Sequence, residues 1–106
     1  MRYFCFLLFI VLFSNSAFAE IKTERKTELL YMLEQDCGSC HGLTRKGGLG
    51  SSLLPESLKG KSDEVILDII MNGIDGTPMP PWSELITEEE AEFLIQDMRN
   101  YNEKTK

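Results

Sequence analysis

The stretch Cys37-Gly38-Ser39-Cys40-His41 places two thiols and one imidazole within little more than one helical turn. This C-x-x-C-H pattern is the attachment signature of a c-type haem. In that interpretation Cys37 and Cys40 form thioether bonds to the vinyl groups of the porphyrin, and His41 supplies one axial nitrogen to the iron. The rest of the sequence must then provide a second axial ligand, apolar cover for the porphyrin, and export to a compartment where haem is attached.

The first 19 residues have the pattern of a secretory signal peptide. Arg2 precedes an apolar run from Tyr3 to Phe13, and small residues lead to an A-x-A site that ends at Ala19. An uncleaved membrane anchor is the alternative, but the apolar run has eleven residues, fewer than the roughly 20 that span a bilayer. We therefore expect residues 1–19 to be a cleaved signal peptide and residues 20–106 to be one monohaem domain.

The chain that remains after this cleavage is short and acidic. It has 87 residues, and its 17 acidic and 10 basic residues give a net charge of −7. A core this small usually needs a further source of stability, which a covalently held haem would supply. The acidic balance argues against a nucleic-acid partner. It is compatible with docking to a positively charged protein, although solubility alone also accounts for it.

The apolar pattern predicts an all-α fold, because no run of alternating β-branched residues suggests a strand. A first helix is expected from about Thr23, acting as its cap, to about Asp36. The two cysteines and His41 would then lie at a helix end, where the backbone can bend around a flat ligand.

Two later helices have clear start signals. Ser62 is expected to open a helix that stops at Asn72-Gly73. The segment Thr87 to Glu90 is a capping box that is expected to open the last helix. The last helix should bury one stripe against the first helix, formed by Ala91, Leu94, Ile95, Met98 and Tyr101.

The segment from Gly42 to Gly60 is expected to be a long loop, since it is rich in Gly, Ser, Leu and Pro and has no helical period. Pro55 is a candidate to offer its carbonyl oxygen to the outer nitrogen of His41, although an ordinary turn fits Pro55 equally well. Arg45 and Lys46 could contact a haem propionate, a partner, or only solvent. Four leucines are expected to close over the porphyrin edge: Leu49, Leu53, Leu54 and Leu58.

The second axial ligand is predicted to be Met79, which lies in the run Gly-Thr-Pro-Met-Pro-Pro-Trp of residues 76–82. Prolines on both sides fix the backbone and prevent a helix, so the thioether is carried on a stiff loop. Met32, Met71 and Met98 fall on predicted helices, where methionine more often fills the core. A thioether is a soft, neutral ligand that favours ferrous iron, and His/Met ligation raises the reduction potential.

Other uses of Cys37, Cys40 and His41 fit the sequence less well. A structural zinc site needs four ligands, and the exported chain has two cysteines and one histidine. A thioredoxin-like C-x-x-C expects a preceding strand in a βαβ context. A plain disulfide would explain neither His41 nor the Met79 loop.

Together these motifs resemble the class I cytochromes c over nearly all of the exported chain. The resemblance implies three to four helices and loops wrapped around one covalent haem c and its iron, attached at Cys37 and Cys40. It implies His41 as the proximal ligand and Met79 as the distal one. More narrowly, residues 37–50, the run L-L-P-E and residues 76–82 are similar to the small periplasmic cytochromes encoded with the nitrite reductase that contains haem c and haem d-type groups.

This resemblance implies a periplasmic one-electron carrier that is not an enzyme, because both axial positions are filled. The implied acceptor is the nitrite reductase of denitrification, and the donor is an upstream periplasmic or membrane-bound protein. We expect a monomer that is soluble after signal cleavage. Two alternatives stay open: a role in maturing the d-type haem of nitrite reductase, and a haem sensor or enzyme in which Met79 is displaced. Trp82 could gate the distal face, plug the haem edge, or belong to a docking surface.

Overall fold

The computed structural model describes residues 20–105, so the expected signal peptide lies outside the described residues. All regular elements in this part of the chain are helical, which confirms the all-α prediction. In chain order they are α1 (Thr23–Met32), a π-helical segment (Leu33–Cys37), α2 (Gly38–His41), α3 (Pro55–Leu58), α4 (Asp63–Asn72), α5 (Glu88–Arg99) and a 3₁₀ turn (Glu103–Thr105).

The first helix is longer than predicted. It does not end near Asp36, because α1 continues through the π-helical segment into α2 and ends only at His41. Lys22 occupies the N-cap position without a side-chain hydrogen bond, so the prediction that Thr23 caps the helix is wrong. Leu29 and Leu33 are buried, and Cys37, four residues further, packs against the same core. The apolar face of α1 therefore extends up to the first cysteine.

The start and stop signals of the later helices are confirmed. The Ser62 hydroxyl accepts a hydrogen bond from the Val65 amide at 3.3 Å, and α4 ends at Asn72, followed by the cap residue Gly73 with a φ of +68°. At the start of α5 the Thr87 hydroxyl accepts from the Glu90 amide at 3.2 Å, while the Glu90 carboxylate accepts from the Thr87 amide at 3.1 Å. Acidic side chains in the first turns of α4 and α5 also interact favourably with the positive end of the helix dipole.

The core lies where α5 crosses the other helices, with its most extensive contacts to α4 and further contacts to α1 and α3. The predicted packing of α5 on α1 is thus only part of its environment. Of the predicted stripe, Tyr101 lies beyond the end of α5 and is half-buried. The buried apolar residues are Leu29, Leu33, Leu58, Ile66, Ile86, Ala91, Leu94, Ile95 and Met98.

The predicted loop between residues 42 and 60 contains the one-turn helix α3. Pro55 is the first residue of that helix, where its missing N–H costs nothing. Within residues 20–105, none of the helices combines the length and the apolar character that a membrane crossing requires.

Candidate haem-binding site

His41 is held by a backbone carbonyl of the loop that follows it. Its Nδ1 lies 2.6 Å from the carbonyl oxygen of Ser51. Because a carbonyl oxygen can only accept, Nδ1 carries the proton and donates it, which leaves Nε2 with its lone pair free for a metal. The prediction that Pro55 provides this carbonyl is wrong, since Ser51 provides it.

Backbone hydrogen bonds fold this loop tightly against α2. The Gly50 amide donates to the Cys40 carbonyl at 2.8 Å, and the Gly47 amide donates to the His41 carbonyl at 2.8 Å. A Cβ at Gly50 would lie 2.8 Å from both Cε1 and Nδ1 of His41. The loop can therefore approach the imidazole this closely only because residue 50 is glycine.

The two cysteines are free thiols, and both are half-buried. Burial, and to a smaller extent the Asp36 carboxylate, raise the pKa of the Cys37 thiol to about 11, while the Arg45 charge acts in the opposite direction. Before haem is attached, Cys37 is therefore a protonated thiol at neutral pH. Redox-active C-x-x-C motifs instead depend on a thiol whose pKa is lowered, so this environment does not favour thioredoxin-type chemistry.

The loop that carries Met79 is tied to the C-terminal end of α4. The Ile74 amide donates to the Met79 carbonyl at 3.2 Å, and the Trp82 amide donates to the Ile70 carbonyl at 2.9 Å. Trp82 also packs against the core. A Cβ at Gly73 would lie 2.7 Å from the Met79 carbonyl oxygen, so the loop passes directly over the glycine that ends α4.

Met79 differs from the other methionines of the described chain in how it is used. Met98 is buried in the core, and Met32 and Met71 pack against it. The side chain of Met79 is half-buried and lies outside this cluster of packed residues. Core packing therefore accounts for three of the methionines and leaves the Met79 thioether for another role.

These residues fit a covalently attached haem. Two thiols with the right spacing are followed directly by an imidazole whose outer nitrogen is already hydrogen-bonded, which is how iron-ligating histidines are oriented. Apolar side chains on the adjoining loops are exposed: Leu43, Leu49 and Ile74. The four leucines expected to act together do not form one group, because Leu58 is buried in the core and Leu53 packs against it, Leu54 is half-buried, and Leu49 is 79% exposed.

Of the surroundings predicted for Arg45, the structure contradicts the solvated loop. Only 7% of the residue is exposed, and its Nη2 donates to a carboxylate oxygen of Asp97 at 2.8 Å. Lys46 is exposed, with its Nζ 3.5 Å from a carboxylate oxygen of Glu103. The two neighbouring bases thus have different environments, which their adjacency in the sequence did not indicate.

Residues 25–96 match the family described as "Cytochrome C oxidase, cbb3-type, subunit III". The chain is a monohaem c-type cytochrome of this family. The predicted resemblance to the class I cytochromes c is thereby confirmed, together with the covalent haem c and its iron. A small c-type cytochrome of this kind is an electron carrier.

The cytochrome is similar to several characterised proteins. Over 71 residues it is 48% identical to cytochrome c55X of Pseudomonas aeruginosa, a match that covers 67% of this chain and 60% of that protein. Among solved structures it is similar to the c-type cytochrome NirC, with a TM-score of 0.73 and 42% identity over 74% of this chain and 93% of that one. A part of "Dihydro-heme d1 dehydrogenase NirN in complex with DHE" matches with a TM-score of 0.65 and 28% identity, over 70% of this chain and 16% of that one.

Proposed function

We propose that Cys37 and Cys40 attach the haem and that His41 and Met79 are its axial ligands. The observation that carries this proposal is the 2.6 Å contact between His41 Nδ1 and the Ser51 carbonyl oxygen. It fixes the imidazole tautomer with Nε2 unprotonated, and it makes the ring a more basic ligand. The exclusion of Met79 from the core, on a loop anchored at both Ile74 and Trp82, supports its assignment as the second ligand.

With two axial ligands from the chain, the haem supplies one-electron oxidation and reduction, and the residues of the chain hold it in place. His41 is oriented by Ser51, and the Met79 thioether is directed by flanking prolines and by its carbonyl bond to Ile74. Exposed apolar side chains on the loops beside these ligands, including Leu43 and Leu49, offer a surface for brief contact with a redox partner.

The proposed setting is the periplasm, where the cytochrome works as a soluble monomer. It is exported there by the signal peptide, which is cleaved after Ala19. The proposed acceptor is the nitrite reductase that contains haem c and haem d-type groups, and the donor is an upstream periplasmic or membrane-bound protein. The similarity to NirC, together with the resemblance of residues 37–50 to the small cytochromes encoded with that enzyme, supports this assignment. The net charge of −7 after cleavage favours a partner with a positively charged docking face.

A second candidate function is a part in maturing the d-type haem of nitrite reductase. It is favoured by the similarity to a segment of a protein named for dihydro-haem d1 dehydrogenase activity. In that role the cytochrome would pass electrons to or from the enzyme that forms the d-type haem, with the same ligands and the same closed iron site.

The two roles are separated by mixing the reduced cytochrome with purified nitrite reductase and following the loss of the reduced haem bands by stopped-flow absorption. The carrier proposal predicts fast oxidation of the cytochrome, which slows as salt is added because the docking is electrostatic. The control is the same enzyme prepared without its d-type haem. If no electrons pass, while deletion of the cytochrome leaves cells with nitrite reductase that lacks d-type haem, the maturation role replaces the carrier role.

A further inference from the structure

Arg45 is a buried cation in the loop that holds His41. Its guanidinium lies over the ring of Tyr101, 4.2 Å from the ring centroid, and its Nη2 bonds to Asp97 at 2.8 Å. Its backbone has a φ of +63°, a left-handed conformation that residues other than glycine rarely adopt. Contacts with α5 and with the segment that follows it therefore hold this residue in an unfavourable backbone conformation.

The charge of this guanidinium is incompletely neutralised. Arg45 Nη1 is buried and has no hydrogen-bond partner among the described residues. The side chain of Arg45 is 9% exposed, whereas that of its partner Asp97 is 33% exposed. Water therefore screens the Asp97 carboxylate more than it screens the Arg45 guanidinium.

The Arg45 loop adjoins the haem attachment motif, because Gly42, to which the Arg45 amide is bonded, directly follows His41. The pKa of the Cys37 thiol is raised to about 11, mainly by burial, and the nearby Arg45 charge acts against this rise by favouring the thiolate. The backbone of Arg45 is also part of the same loop, because its amide donates to the Gly42 carbonyl at 2.9 Å and its carbonyl accepts from the Leu53 amide at 2.9 Å.

We propose that Arg45 is a positioning residue that fastens the His41 loop to α5 and, through its buried positive charge, favours the reduced state of the haem. Reduction removes one positive charge from the iron, so a nearby cation that water cannot screen stabilises the reduced form relative to the oxidised form. Asp97 opposes this effect by partly neutralising the guanidinium. The proposal rests on the attachment of the haem through Cys37.

The test is a spectroelectrochemical titration of the holocytochrome and of four variants. Arg45→Gln should lower the reduction potential, seen as a severalfold fall in the ratio of ferrous to ferric protein at one fixed applied potential. Asp97→Asn should raise that ratio, because it removes the neutralising charge and keeps the side-chain shape. Arg45→Lys keeps the charge and should lie closer to the wild type than Arg45→Gln does.

Lys46→Gln is the matched control. It also removes one positive charge, but from an exposed side chain at the next position in the sequence. Its effect should be smaller than that of Arg45→Gln and should fade at high salt. If Arg45 only fastens the loop, Arg45→Gln and Asp97→Asn both loosen it and shift the potential in the same direction. That result, or an effect of Arg45→Gln no larger than that of Lys46→Gln, overturns the proposal.

Two further readouts complete the test. If Arg45→Gln does not fold, as judged by circular dichroism, Asp97→Asn decides alone: a raised potential supports the proposal, and an unchanged or lowered one overturns it. Failure of the proposed function looks different, because the wild-type protein would then carry no covalent haem in a denaturing gel, or its ferrous form would bind carbon monoxide at once.

Discussion

Replacing Gly50 by alanine tests whether the His41 loop needs its close approach to the imidazole. The new Cβ would lie 2.8 Å from Cε1 and Nδ1 of His41 and 3.2 Å from Nε2. These separations are far shorter than an ordinary carbon contact, so either the ring or the loop must move. The ring cannot move alone without lengthening its 2.6 Å contact with the Ser51 carbonyl.

The expected cost follows from these two effects. Forcing an extra methyl group into a packed site costs about 1–3 kcal/mol, and loss of one hydrogen bond costs about 0.5–1.5 kcal/mol. We therefore expect Gly50→Ala to lower the free energy of unfolding by about 2–4 kcal/mol. A small domain loses roughly 1–3 kcal/mol of stability per molar urea, so the urea midpoint should fall by about 0.7–4 M.

The matched control is Gly60→Ala, because nothing lies within 4 Å of a Cβ at that position. Alanine there should leave stability unchanged or raise it by up to about 1 kcal/mol, through the unfolded chain. The assay is urea unfolding of both holocytochromes, followed by circular dichroism and by haem absorption. Equal midpoints for the two variants, with the same ferrous spectrum, would refute the steric reasoning at Gly50.

Two further perturbations follow from the structure. Gly73→Ala should weaken the Met79 bond to iron and make the ferrous protein bind carbon monoxide, because a Cβ there would lie 2.7 Å from the Met79 carbonyl oxygen. The control Gly76→Ala imposes the same left-handed backbone strain but has nothing within 4 Å of its Cβ, so it should not bind carbon monoxide. Equal carbon monoxide binding by both variants would show that backbone strain alone is responsible. Glu90→Gln keeps the capping box, since glutamine also serves there, but it removes the ion pair with Arg25, which lowers the pKa of Glu90 below its usual value. The variant should be less stable than the wild type at pH 7. The difference in urea midpoint should shrink as the pH falls below about 4.5 and on through the lowered pKa of Glu90, because protonated Glu90 no longer forms the ion pair with Arg25. A difference that stays constant down to pH 3 would contradict this.

The features that could be predicted from the sequence are those fixed by local chemistry. Ser62 and Thr87 begin their helices because their hydroxyls satisfy free amides a few residues away, and Gly73 ends α4 because it adopts a positive φ. The tight loop at Met79 also follows from its neighbours, since two flanking prolines exclude a helix. Each of these signals lies within a few residues of its effect.

The features that could not be predicted depend on residues distant in the sequence or on the path of the loop. Asp97, the partner of Arg45, is 52 residues away, so nothing near Arg45 indicated that it would be buried. The carbonyl that meets His41 comes from Ser51 and not from Pro55, because the turn through Gly47 and Gly50 brings Ser51 back sooner than composition suggests. The glycines that follow His41, at residues 42, 47, 48 and 50, were the available clue to this close approach.

The extension of the first helix to His41 has a similar explanation. Sequence rules place a helix end near Asp36, where the apolar pattern breaks. In the structure a π-helical segment carries the helix onward, and the core contact of Cys37 supports it. Tertiary packing therefore continues a helix that local propensity would end, and it leaves the imidazole at the helix terminus beside a sharp reversal at Gly42, which has a φ of +89°.

The most direct test of the central claim, a closed haem iron held between His41 and Met79, is the absorption spectrum of the purified holocytochrome in both redox states, with and without carbon monoxide. The ligand assignment predicts a ferric charge-transfer band of methionine–iron ligation and a ferrous spectrum that carbon monoxide leaves unchanged. Met79→Ala should lose the band and bind carbon monoxide, while Met71→Ala, which alters a methionine packed against the core, should keep the band. Rapid carbon monoxide binding by the unaltered ferrous protein, or a ferric band that survives in Met79→Ala, would contradict the account.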